Sequence, residues 1–216
     1  MNLSTLSFIL RLSNTLQKAE SFDQISPVLV SLPGLNMLNT KYIILNRELP
    51  PLTNPYAAGN AWMPEKAVLA ADANEELSAI SKTDPLKEAV IVKKFGDLLP
   101  GTTFKTNPGD TVSLVSYKAN ELVYNSRAGN DRLAVFSEIW YPAGWKAFID
   151  GREVPIMRAN YVLRALMIPP GSHEIIFRFR PASYYTGEKI SYASSVIFIL
   201  LLAGYLLRSL FKKPAA

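Results

Sequence analysis

The chain is 216 residues long, 49% hydrophobic, 19% charged and 11% aromatic, and it contains no cysteine. That composition excludes a wholly disordered chain, a collagen-like repeat, a disulfide scaffold, a thiolate zinc site and a cysteine nucleophile. The net charge is +5, but Arg208, Lys212 and Lys213 near the C-terminus carry three of those charges, so no nucleic-acid-binding face is visible in the body of the chain.

From the N-terminus, Leu6, Ile9, Leu10, Leu12 and Leu16 recur at helical spacing and predict an amphipathic helix within Leu3 to Phe22. Met1 to Leu12 has no basic start, its apolar run is broken by Arg11, and no small-residue cleavage site follows, so it does not read as a signal peptide. Ser26-Pro27 and Leu32-Pro33-Gly34 mark a linker, which closes a first segment at 1–34. A small α/β portion is expected over 35–100, with strands at Lys41 to Asn46, Ala61 to Ala70 and Ala89 to Lys93. Pro64 places an edge or bulge in the second of these. Between the last two a helix is expected, with Asp72 as N-cap and Glu75 completing a capping box; Asp84-Pro85 stops it.

Beyond Pro100-Gly101 the pattern changes to strands and turns, and 101–182 is expected to form an antiparallel β-sandwich. The predicted strands are Thr111 to Tyr117, Glu121 to Asn125, Leu133 to Tyr141, Trp145 to Ile149, Val154 to Arg158, Tyr161 to Ile168 and His173 to Phe179. Leu133 to Tyr141 is too apolar to be half solvated and reads as a central strand. Asp150-Gly151 is a two-residue hairpin signal, and Pro169-Pro170-Gly171 is expected to turn a second hairpin between the last two strands. The fold class is therefore mainly β, α+β overall: a sandwich, a small N-terminal α/β portion and one C-terminal transmembrane helix.

That helix is the strongest signal in the chain. Ile190 to Leu207 runs 18 residues without a charge, between Lys189 and Arg208. At ~1.5 Å per residue it spans roughly 27 Å, close to a hydrocarbon core of ~30 Å. Tyr184, Tyr185, Tyr192 and Tyr205 sit where interfacial aromatics belong. The basic tail, 208–216, places the C-terminus in the cytoplasm and the main domain outside. An exterior domain without a signal peptide is expected to be the C-terminal piece of a longer polytopic protein, anchored in the lipid bilayer beside its own upstream transmembrane part.

Few residues suggest chemistry. His173 is the sole histidine and opens a strand after a tight turn, no ligand cluster has metal spacing, and no glycine-rich phosphate loop precedes a helix. No metal, no cofactor and no catalytic residue is expected. Trp140, Tyr141, Trp145, Arg152, Arg158, Asn160, Tyr161 and Arg164 do crowd into two hairpins, and Trp62 could join them; of these all but Arg152 are the candidate binding residues. Flat aromatics beside amide and guanidinium donors suit a sugar ring or a lipid headgroup. The same residues could instead seal the sandwich through core packing and cation–π contacts. Arg164 shares a strand face with Val162, Leu166 and Ile168, so it must pair with an acid such as Glu138 or open into a groove. The pair is the expected outcome.

A set of strings in fixed order carries a family resemblance: Leu38-Asn39-Thr40-Lys41-Tyr42, Gly59-Asn60-Ala61-Trp62, Phe136-Ser137-Glu138, Tyr141-Pro142, Gly144-Trp145-Lys146-Ala147, Ile149-Asp150-Gly151, Arg158-Ala159-Asn160-Tyr161-Val162-Leu163-Arg164-Ala165 and Pro170-Gly171-Ser172-His173. With the closing apolar helix they resemble the C-terminal end of the bacterial YfhO-like membrane proteins, from about Leu35 onward. The resemblance implies a large polytopic protein similar to GT-C-type glycosyltransferases, which use polyprenyl-phosphate-linked sugars on the outer face of the cytoplasmic membrane. Their catalytic acid lies in an early loop with no counterpart here. The first expectation is thus an extracytoplasmic accessory domain of such a protein. The alternative is a noncatalytic, membrane-anchored envelope module that binds glycan or protein. A self-contained hydrolase is disfavoured by the solitary His173.

Overall fold

The computed structural model describes residues 29–211 apart from 31, 45–47 and 49. The predicted helix within Leu3 to Phe22, the Ser26-Pro27 break and the tail residues Lys212 and Lys213 lie outside the described residues. The protein is mostly β, with a small helical part and one apolar C-terminal helix, as expected. A short helix α1 (Pro33–Met37) leads into a two-stranded ribbon of β1 (Tyr42–Ile43) and β2 (Leu52–Thr53). There follow β3 (Ala61–Trp62), β4 (Lys66–Ala70), α2 (Ala73–Ile80) and β5 (Glu88–Val92), then β6 (Thr111–Lys118), β7 (Glu121–Ala128), β8 (Arg132–Ile139) and β9 (Trp145–Ile149). Last come β10 (Arg152–Val154), β11 (Met157–Ala159), β12 (Leu163–Ile168), β13 (Gly171–Phe179) and α3 (Ala182–Phe211).

Two larger sheets result, one ordered β10-β9-β13-β7-β6 and the other β3-β8-β12-β11-β5-β4. All pairings are antiparallel except β4 with β5, which α2 joins as a crossover. The six-stranded sheet is the middle layer. On one face Leu133, Val135, Leu163 and Ala165 pack with Trp62, Ile80, Val90 and Phe104. On the other Ala134, Phe136, Leu166 and Ile168 meet Leu122, Tyr124, Ile149, Ile175 and Phe177 of the five-stranded sheet. Strands β8 and β12 are buried on both faces, which is why Leu133 to Phe136 is an unbroken apolar run. Tyr124, Phe136 and Phe177 meet edge to face between the sheets, with ring centroids 4.9–6.0 Å apart.

Local chemistry sets several boundaries. The Asp72 carboxylate accepts from the Asn74 and Glu75 amides, while Glu75 Oε2 accepts from Ala71 N at 2.6 Å, one residue further back than a capping box requires. Ile149 pairs with Arg152 across Asp150 (φ 49°) and Gly151 (φ 80°), the two left-handed residues of a type I′ turn. Three expectations are corrected, each at a proline. The predicted strand Ala61 to Ala70 is divided around Pro64, and its halves β3 and β4 occupy opposite edges of the middle sheet. The strand Val154 to Arg158 breaks at Pro155, leaving β10 in one sheet and β11 in the other. Tyr161 to Ile168 and His173 to Phe179 are not a hairpin: β12 and β13 lie in different sheets, and Pro169-Pro170, without N–H donors, carries the chain across.

Arg132, at the start of β8, ties these layers together and is only 1% exposed. Its guanidinium donates to Met63 O at 2.9 Å, to Pro64 O at 3.3 Å and to Thr106 Oγ1 at 3.0 Å. Its Nε lies 3.7 Å from Asp110 Oδ2. That carboxylate in turn accepts from the Asn107 and Gly129 amides. Removing the guanidinium strands the buried Asp110 and several carbonyls. Arg132→Ala should therefore cost about 3–5 kcal/mol in denaturant unfolding of the micelle-solubilised chain; a loss below about 1 kcal/mol would contradict this role.

Candidate functional site

The strand directions give the β-structure two distinct ends. Phe179 pairs with Trp145, Arg178 with Glu121, and Leu163 with Ile139, so these residues share one end. Asp150-Gly151, Ala128 and Gly171 lie at the other. Only Arg180 and Pro181 separate β13 from α3, so the first end is also the root of the apolar helix. The window Ala182–Arg208 is long and apolar enough to cross a membrane, and none of it is buried against the rest of the protein. The helix starts before the charge-free run and has 30 residues. At ~1.5 Å each it extends roughly 45 Å, the thickness of a bilayer including its headgroups.

The loop after β8 folds back onto that root. Gly144 (φ 125°) accepts through its carbonyl from Arg180 N at 2.7 Å. A Cβ there would come within 2.8 Å of the Phe179 ring and 3.1 Å of Pro181 Cα, so glycine alone lets the loop lie this close. Trp145 and Tyr141 rest on Phe179, with centroids 5.3 and 6.5 Å away. The result is a groove of about 220 Å³ whose walls include Trp140, Tyr141, Trp145, Lys146, Pro155 and Arg164. Lys146 is 2.9 Å from Glu153 at its rim.

Arg164 lines this groove and is 3% exposed. Its guanidinium carbon stacks 4.0 Å from the Trp145 ring centre and 5.4 Å from that of Phe177. Nε donates to Ile139 O at 2.9 Å, while Nη1 is buried without a hydrogen-bond partner. The expected ion pair with Glu138 does not form among the described residues. Instead burial raises the Glu138 carboxyl above the usual range against the opposing pull of Arg164, and burial lowers Arg164.

Four of the eight candidate residues, Trp140, Tyr141, Trp145 and Arg164, therefore meet in one groove. The other four do not line it. Trp62 packs in the opposite core and donates through Nε1 to Pro85 O at 2.7 Å. Asn160 (φ 47°) and Tyr161 (φ 70°) make the left-handed turn between β11 and β12. The Asn160 backbone N donates to Val90 O and its side-chain oxygen accepts from Val90 N, so one residue continues the ladder for β5. Glu76 of α2, fully buried, accepts from Arg158 Nη2 and Tyr161 N, both at 2.7 Å. Arg158 reaches back over Trp140 at 5.8 Å, and Lys94 lies 5.3 Å from the same ring. Sequence reasoning missed Glu76 and Arg132 because the partners that justify burying them are distant in the chain. A buried Glu76 could have been suspected only from its place on the apolar side of α2.

His173 sits at the far end, with Nδ1 2.6 Å from Asp150 Oδ2 and Nε2 3.2 Å from Pro170 O. It acts as a clasp on the type I′ turn.

Two predictions follow from these partners. Arg164→Ala breaks no ion pair, takes only a more distant counter-charge from Glu138 and removes a partly orphaned charge along with its stacking, so it should cost about 1–2 kcal/mol in denaturant unfolding. A loss above about 3 kcal/mol would restore the ion-pair reading. At the far end the Asp150 carboxylate holds His173 above the ordinary imidazole value, and His173 holds Asp150 below the carboxylate range. The His173 contribution is complete below pH about 6.5 and is lost as pH rises through its raised value; the Asp150 contribution is complete above pH about 4 and is lost as pH falls through its lowered value. Stability should decline from pH 6.5 upward, and His173→Gln should flatten that slope. An unchanged slope in the variant would assign it to other groups.

In comparisons with known proteins, a family model described as bacterial membrane protein YfhO matches residues 105–191. No curated protein and no solved structure matches the chain. The matched segment contains both strands of the helix root, the groove loop and the first turns of α3, and it agrees with the resemblance read from the sequence strings. Over residues 105–191, from just before β6 to the head of its apolar helix, this chain is similar to the bacterial membrane protein YfhO family.

Proposed function

We propose that the chain forms the extracytoplasmic accessory domain of a polytopic membrane protein similar to glycosyltransferases that use polyprenyl-phosphate-linked sugars. The observation that carries this reading is the two-residue connection at Arg180-Pro181. So short a link seats the groove end of the β-structure against the surface of whatever bilayer α3 crosses. Trp140, Tyr141 and Trp145 then present aromatic faces to a glycan or lipid-linked sugar arriving along the membrane. Arg208, Lys212 and Lys213 favour a cytoplasmic C-terminus and hence an exterior β-domain in the bacterial cytoplasmic membrane. In this arrangement the catalytic acid and the donor site belong to the upstream transmembrane part, while the domain shapes the acceptor side.

Two measurements test the reading. A reporter active only in the cytoplasm, fused after Ala216 in bacterial membranes, should be active; activity of a periplasm-only reporter there would reverse the topology. The chain alone, reconstituted in vesicles with a polyprenyl-phosphate sugar, should transfer none of it. Turnover above the protein-free blank would make the domain an enzyme in its own right.

A further inference from the structure

We propose that the groove at the helix root binds the phosphate of an anionic phospholipid headgroup, with Arg164 as its central contact. The inference rests on α3 lying in a membrane and goes beyond the accessory role, because it assigns the groove a ligand of its own. Three observations lead to it.

The first is an unsatisfied cation. Arg164 is 3% exposed, has a buried guanidinium nitrogen without a partner, and makes no ion pair among the described residues. A buried guanidinium is retained at low cost only when an anion completes its hydrogen bonds. Its stack on Trp145 fixes the plane of the guanidinium, with Nε held by Ile139 O and the Nη end left to donate to a phosphate.

The second is the surrounding charge. Lys146 at the rim is matched by Glu153, but Lys94 over the Trp140 ring and Arg180 beside Gly144 have no ion pair among the described residues. With Glu138, whose carboxyl acts on Arg164, counted against them, Arg164, Lys94 and Arg180 still leave the groove neighbourhood net positive, as a surface apposed to anionic lipid requires.

The third is position. Trp145 pairs with Phe179, two residues before α3 begins with Ala182, and α3 is long enough to cross both headgroup layers. Tyr141, 54% exposed, and Tyr184 and Tyr185 at the head of the helix supply an aromatic belt on the same side. A phosphate in the groove thus stands at headgroup height, while the lipid's acyl chains remain in the bilayer.

The test uses the full chain in nanodiscs of phosphatidylcholine in which phosphatidylglycerol is substituted stepwise, read by tryptophan emission. Trp62 is buried away from the groove and supplies a constant background, so a saturable change reports Trp140 and Trp145. The wild-type chain should show it, and Arg164→Gln should raise the half-saturating lipid fraction about tenfold. Lys146→Glu, a change at an exposed rim position that leaves the core intact, should also weaken the response. A wild-type chain that inserts and folds without responding to phosphatidylglycerol overturns the proposal, as does an Arg164→Gln response equal to the wild type. A full response to inorganic phosphate in phosphatidylcholine alone overturns the lipid source. Failure of the chain to insert at all removes the membrane reading on which the proposal rests, an outcome distinct from insertion without response.

Discussion

Strands β8 and β12 leave no face for water, and most of the architecture follows from that constraint. A sheet apolar on both sides needs a cover on each. The five-stranded sheet supplies one through Leu122, Tyr124, Ile149, Ile175 and Phe177. Trp62, Ile80 and Phe104, contributed by β3, α2 and the segment before β6, supply the other. Because both covers come from the same chain, it must cross repeatedly between layers, and prolines at 155 and 169–170 mark two of those crossings. The open ends of the inter-sheet core still have to be closed. Arg132, paired in register with Ile168, lies at one end, and Arg164, paired with Phe136 toward the helix root, lies near the other.

The two arginines are nearly equal in burial, and each keeps one buried nitrogen without a hydrogen-bond partner, Nε of Arg132 and Nη1 of Arg164, but they differ in how the rest of the guanidinium is satisfied. Arg132 is surrounded by carbonyls, a hydroxyl and the Asp110 carboxylate. Arg164 has one carbonyl and two aromatic rings. One closes its end by hydrogen bonding within the protein, whereas the other closes its end while keeping hydrogen-bonding capacity in hand beside a groove. That asymmetry, rather than any constellation of acids and bases, is what singles out the helix-root end for the proposed site.

Features governed by neighbouring residues were legible in the sequence. Asp72 capped its helix, Asp150-Gly151 made its turn, and the apolar run of Leu133 to Phe136 announced a strand buried on both faces. Features governed by distant pairing were not. Nothing near Pro169-Pro170 distinguishes a hairpin from a crossing between sheets, since both need a turn and only the register of β7 and β8 decides. Trp140, Tyr141, Trp145 and Arg164, grouped by their crowding along the chain, do line one groove. Arg158, Asn160 and Tyr161 were grouped with them by proximity in sequence alone, yet they point their hydrogen bonds at Glu76 and Val90, which lie about 70–85 positions earlier. The pairing expected between Arg164 and Glu138 does not form: Nε donates to Ile139 O, and Trp145 and Phe177 pack on the guanidinium.

The proposed seating places Gly144 at the lipid surface and Gly151, across strand β9, at the opposite end of the sheet, roughly 20 Å away at ~3.3 Å per residue. Paramagnetic broadening of amide signals by a headgroup spin label, in nanodiscs holding the full chain, tests this most directly. Seating through the helix root predicts strong broadening at Gly144 and Trp145 with Gly151 and His173 spared. Equal broadening at both ends, or stronger broadening at Gly151, would show that the groove does not face the membrane.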